Sequence, residues 1–256
     1  MGTAALNGLR GAVTFLTRVP VGGDEEADVA ASVPWFPVVG ALVGLLVASV
    51  YAAGRQLVAP LPAAAVAVAT GVLVTGAFHE DGLADTADAF GAFDVAHARR
   101  ILKDPVHGSY GVSALVLSLL LRVAALSTLG GWAAVAIVPA AHALARTAAI
   151  LLLGTGAVAE EEGLGASYAA RVRGVHLAVV ATVGLVLGAL AAGLWIGPAV
   201  AAAALGAYVV GSIGARRVGG LNGDVLGAAE QAAEISVLYL GAVVVAQGWA
   251  GLPWWR

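Results

Sequence analysis

The chain contains no cysteine, which removes a disulfide framework and a thiolate metal site from consideration. Charge is scarce as well. Only 11% of the 256 residues are Asp, Glu, Lys or Arg, against 60% hydrophobic residues and a mean hydropathy of +0.92. A soluble globular domain carries about 25% charged residues, so the shortage points to a membrane protein. There is no excess of positive charge, and a net charge of −3 offers nothing to a nucleic acid. What the chain has instead is small residues, with 35 glycines among abundant alanine, as in helices packed closely within a bilayer.

Apolar runs of about 20 residues, long enough to cross a bilayer as a helix, fall near 36–58, 61–79, 110–130, 132–153, 175–196, 199–215 and 233–250. They predict an all-α, polytopic integral membrane protein with about seven transmembrane helices, forming one membrane-embedded domain over residues 1–256. Pro60 with Pro62, Gly130 with Gly131, and Gly197 with Pro198 mark three tight connections. The N-terminal stretch LNGLRGAVTFLTRVP has apolar residues at helical spacing together with Arg10 and Arg18. Too short and interrupted to span, or to act as a signal peptide, it predicts an interfacial helix.

With seven spans, the N-terminus and every long polar connection share one side. That side holds Arg10, Arg18, Arg99, Arg100, Lys103, Arg171, Arg173, Arg216 and Arg217, while Arg55 and Arg256 fall opposite and Arg122 and Arg146 lie within spans. The positive-inside rule makes the charged side cytoplasmic, in a cell or inner membrane. All sixteen acids fall on it too. Acids crowding one surface suit an enzyme acting at that face better than a transporter, which more often keeps carboxylates near the membrane midplane in related halves; no internal repeat is visible.

The densest charge is HEDGLADTADAF at 79–90. On a helix Asp81, Asp85 and Asp88 stand at i, i+4 and i+7 and form one stripe, with Gly82 and Ala84 leaving room beside it. Carboxylates so placed repel one another unless a cation sits among them, and Mg²⁺ is the expected partner of hard oxygen ligands that also meet phosphate. The plainer alternative is that Asp81 and Gly82 cap a helix and the remaining acids are solvated. Glu80 points about 100° away from the stripe and is expected to lie outside it.

Two further sets accompany the stripe. RRILKDPVHGSYG supplies Arg99, Arg100, Lys103 and His107, cations fitted to an anionic phosphate; Lys103 beside Asp104 is favoured, while Arg99 and Arg100 equally suit anchors for the following span. RRVGGLNGDVLGAAEQAAE places Asn222 and Asp224 on a glycine turn and Glu230 and Glu234 on the helix beyond, either as part of the site or as a loop and an acidic helix start. Arg122 and Arg146, costly if unpaired within a span, are candidates for holding substrate phosphates. His142, one turn before Arg146, reads as a packed neutral histidine outside the site.

FLTRVP, WFPVVGALVG, FHEDGLADTADAFGAF, RRILKDPVHGSYGV, EEGLGASYA and GGLNGDVLGAAE occur in this order over nearly the whole chain. Together they resemble the cobalamin synthase family, the adenosylcobinamide-GDP ribazoletransferases. The resemblance implies a Mg²⁺-dependent membrane transferase. It would join adenosylcobinamide-GDP to α-ribazole or its 5′-phosphate, forming adenosylcobalamin or its phosphate and releasing GMP, late in cobalamin biosynthesis. Its substrates and the lipid bilayer would be the partners. Mapped onto this sequence, Asp81 and Asp85 would hold Mg²⁺ at the diphosphate. Asp88 would bind metal or accept the hydroxyl proton, Lys103 would face the leaving phosphate, and His79 would belong with the catalytic residues. Asp104, Arg122, Arg146, Asn222, Asp224 and Glu230 would contact substrate. The D-G-x-A opening also looks like the CDP-alcohol phosphotransferases, but their Arg after the Ala is here Asp85 and their later spacing is missing.

Overall fold

A computed structural model of the chain describes residues 3–22, 29–154, 157–159 and 171–249. Among these residues the fold is all-α, and the bridge between Val158 and Leu221 is the only β pairing. The helices are α1 (Thr3–Leu16), α2 (Val29–Ser32), α3 (Phe36–Gly54), α4 (Pro60–Thr75), α5 (Phe78–Asp88), α6 (Val95–Ile101), α7 (Ser109–Thr128), α8 (Gly131–Leu153), α9 (Gly174–Ala192), α10 (Ile196–Val218) and α11 (Gly223–Ala246).

Five stretches are long and apolar enough to cross a membrane: Ala30–Gly54, Ser109–Thr128, Gly131–Leu153, Gly174–Val218 and Gly223–Ala246. A sixth is gained if Pro60–Thr75 and Phe78–Gly91, which meet at 90°, count as one broken span. The difference from the seven expected has two sources. The run at 61–79 is cut after 16 helical residues, and 174–218 is one apolar stretch containing two helices. Those two run in opposite directions along α8. On α9, Gly184 faces Thr147 and Gly188 faces Leu144, whereas on α10 it is the late Gly211 that meets Leu152.

α8 is buried along most of its length and forms the centre of the bundle. α3 approaches it through Gly40 and Gly44, where a Cβ would come within 2.7 Å of the His142 carbonyl oxygen and 2.8 Å of Pro139 Cα. Without a hydrophobic drive between helices in lipid, such backbone contact is a main source of packing energy. α1 is not among the spanning stretches. Its Phe15 stacks on Phe36 at 5.4 Å and meets Phe78 edge-on at 5.0 Å, joining α1 to the starts of α3 and α5.

The feature that builds the site is the break between α4 and α5. Gly76 (φ 66°) ends α4 in the left-handed region and Ala77 (φ 59°) follows in the same region, a conformation costing a non-glycine residue about 1–2 kcal/mol. The Arg18 amide donates to the Val74 carbonyl at 2.7 Å, and the Arg18 side chain lies over Gly76. The segment after α1 thus straps the bend, and α5 turns away from α4 at the end of the bundle where α7 and α11 begin.

Candidate functional site

The stripe expected on residues 81–88 exists, and the loop entering α7 covers it. His107 lies between the first two carboxylates, its Nε2 3.6 Å from Asp81 Oδ1 and its Nδ1 3.4 Å from Asp85 Oδ1. Asp88 is turned into the protein, where its Oδ2 accepts the Gly108 amide at 2.7 Å and its Oδ1 the Gly111 amide at 2.8 Å. The side chains grade from outside to inside: Asp81 is 66% exposed, Asp85 15%, and Asp88 is buried. Asp88 therefore pins the loop that carries His107.

The second wall is the start of α11. After Gly219 (φ 84°) and Gly220 (φ 145°), Asn222 caps the helix by accepting the Val225 amide at 2.9 Å and donates to Asp224 Oδ2 at 3.2 Å. α5 meets this turn through Gly82, whose Cβ would lie 2.9 Å from the Asp224 carbonyl oxygen. Burial, then Asp224 and then Asp81 push the Asp85 carboxyl up to about 6, with His107 pulling the other way. Asp224 and Asp81 are thus close enough to Asp85 to disfavour its charge. They are not a finished cage, since among the described residues no three His, Cys, Asp or Glu side chains are grouped to hold a metal.

The cations at this end of the bundle are mostly helix caps. Arg99 Nε donates to the Val218 carbonyl at 2.9 Å, and Arg217 donates to the carbonyls of Ala89, Phe90 and Ala92. In this way α6 and α10 tie down the last turns that frame the stripe. Lys103 is exposed, and Asp104 closes its own turn by accepting the Val106 amide at 3.0 Å.

Arg122, Arg146 and Glu230, expected at the substrate, lie in a buried network on the inner side of α5 together with Glu80 and Glu234. Arg122 Nη2 donates to Glu80 Oε1 at 2.8 Å and Nη1 lies 3.5 Å from Glu234. Arg146 pairs with Glu230 and donates to Glu234 Oε2 at 3.0 Å. His142 Nδ1 sits 2.9 Å from Arg146 Nη1 and 3.1 Å from Glu234, and His79 Nδ1 is 3.6 Å from Glu230. All seven side chains are buried. The arginines are neutralised by α5 and α11 carboxylates, which is what a guanidinium within a bundle requires. Residues 160–170, with the whole of the EEGLGASYA motif, lie outside the described residues.

The profile of the cobalamin-5-phosphate synthase family matches residues 8–243. An adenosylcobinamide-GDP ribazoletransferase of Bradyrhizobium diazoefficiens is 38% identical over 245 residues, 91% of this chain and 92% of that protein. Those of Azorhizobium caulinodans (40% over 258 residues; 92% and 95%) and Chlorobaculum parvum (35% over 243 residues; 93% and 96%) are similar too. No solved structure matches.

Proposed function

The chain belongs to the cobalamin-5-phosphate synthase family, and from that premise we propose that it transfers the adenosylcobinamide-phosphate group of adenosylcobinamide-GDP to α-ribazole or its 5′-phosphate, releasing GMP. One observation carries the reading onto these residues. At the end of the bundle, the Asp81–Asp85 face of α5 is packed against the Asp224 turn of α11 and overlaid by His107.

The donors there are hard oxygens, Asp81 exposed and Asp85 partly so. Mg²⁺ commonly takes one or two carboxylates and completes its shell with water and phosphate oxygens, so an open pair of aspartates fits it better than a closed cage would. We assign Mg²⁺ to Asp81 and Asp85, with Asp224 alongside, where it would offset the charge of a diphosphate.

The rest falls to the chain's own side chains. A ribose hydroxyl oxygen bonds to the phosphorus bearing cobinamide, the bond from that phosphorus to the bridging oxygen breaks, and GMP leaves with the electron pair. Such a transfer needs alignment and charge stabilisation more than a covalent nucleophile. His107, partly exposed and lying between two carboxylates, is suited to take the hydroxyl proton. Lys103, exposed on the turn after α6, remains the cation for the leaving phosphate. Asp88 holds the loop rather than the proton.

The clustering of basic residues around α6 and the end of α10 supports a cytoplasmic active face in an inner membrane. Inverted and right-side-out vesicles containing the protein, given adenosylcobinamide-GDP, α-ribazole and Mg²⁺, test reaction and side together. GMP release by inverted vesicles alone, dependent on the acceptor, is expected; release by neither preparation contradicts the activity, and release by right-side-out vesicles alone contradicts the orientation.

A further inference from the structure

We propose that Glu80 is a positioning residue for the reaction. The ion-pair network beneath α5 sets the rotation and height of that helix, and through it the spacing of Asp81 and Asp85 from Asp224. The inference rests on the metal site assigned above.

Covalent continuity alone fixes α5 poorly. It leaves α4 at 90° through two left-handed residues, Gly76 and Ala77, and reaches α6 through a short turn after Gly91. On its outer face are Asp81 and Asp85; on its inner face are His79 and Glu80, both buried. Glu80 is joined to Arg122 of α7 at 2.8 Å, Arg122 reaches Glu234 of α11 at 3.5 Å, and His79 lies 3.6 Å from Glu230 of α11. The network therefore connects α5 to both helices whose first turns build the site. Glu80 adjoins Asp81 in sequence, so displacing one carboxylate moves the other.

Glu80 is also only half used. Its Oε2 and the Arg122 Nε have no hydrogen-bond partner among the described residues, and both side chains line a cavity of about 20 Å³ with Gly71, Thr75 and Gln231. That is room for water.

Removing both charges together separates positioning from mere stability, because replacing a buried ion pair by apolar residues often leaves stability unchanged or raised. Leu83→Cys and Gly223→Cys are introduced into the cysteine-free chain, on α5 and at the start of α11. Crosslinking by a short bifunctional maleimide then reads the spacing with no turnover required. In the Glu80→Leu/Arg122→Leu background we expect unchanged melting and folded yield, crosslinking slowed about tenfold, and about tenfold more Mg²⁺ needed for half-maximal GMP release, the size of effect typical of residues supporting a metal ligand. Unchanged crosslinking and Mg²⁺ dependence would overturn the proposal. If the double variant does not accumulate, Glu80→Gln, which keeps the shape, is read in the same two ways. Slowed crosslinking in the double variant, when the chain without those two changes itself releases no GMP, would uphold the positioning role while refuting the assigned reaction.

Discussion

Asp85 is the residue on which folding and the proposed function pull in opposite directions. A carboxyl at about 6 in the fold and 3.8 when unfolded opposes folding once it ionises. The penalty is absent below about pH 4, grows between pH 4 and 6 and is complete above pH 6. In chelator, Asp85→Asn should therefore raise the melting temperature at pH 8 and leave it unchanged at pH 4, while losing most of the turnover with Mg²⁺ restored. Asp88→Asn should behave differently. Its carboxylate accepts two loop amides, and an asparagine NH₂ cannot accept the second, so it should cost about 1–3 kcal/mol at pH 8 with or without chelator, read as a fall in melting temperature. The stripe itself was legible because i, i+4 and i+7 is a local pattern. The pairing of Glu80 with Arg122 and of Glu234 with Arg146 was not, because the partners stand 42 and 88 positions apart and only the packing of α5, α7, α8 and α11 brings them together.

At the scale of elements, the site depends on how closely α5 and α11 approach. Gly82 is the contact, with no room for a Cβ against the Asp224 backbone. Gly82→Val should force the helices apart at a cost of about 1–3 kcal/mol and weaken Mg²⁺ activation. Gly91→Ala, whose methyl would lie an ordinary 3.7 Å from the Tyr110 ring, should change neither, so parallel titrations of the two variants isolate the α5–α11 contact. Hydropathy could not reveal that the run at 61–79 is two helices. VTGAFH remains apolar through the bend, and what turns the chain is a pair of left-handed backbone conformations strapped by Arg18. The chain reverses at Gly193, four residues before the connection expected at Gly197 and Pro198, which stand instead in the first turn of α10, where proline is tolerated.

For the molecule as a whole, the proposed orientation puts α6 and the start of α7 in the cytoplasm and the end of α11 outside. Lys103→Cys and Gln247→Cys, both exposed positions, should be labelled by a membrane-impermeant maleimide from opposite sides; labelling from one side would mean an even number of crossings between them. The family was legible from motifs spread along the chain, and the comparisons bear it out over residues 8–243. The central claim, that aspartates of α5 and the α11 turn act as one metal-dependent site, is tested most directly by measuring GMP release from adenosylcobinamide-GDP and α-ribazole against Mg²⁺ concentration, in the parent and in Asp81→Asn, Asp85→Asn and Asp224→Asn. The account predicts that each variant folds, that turnover collapses at limiting Mg²⁺, and that high Mg²⁺ restores part of it. Full turnover at limiting Mg²⁺ in all three variants would contradict it.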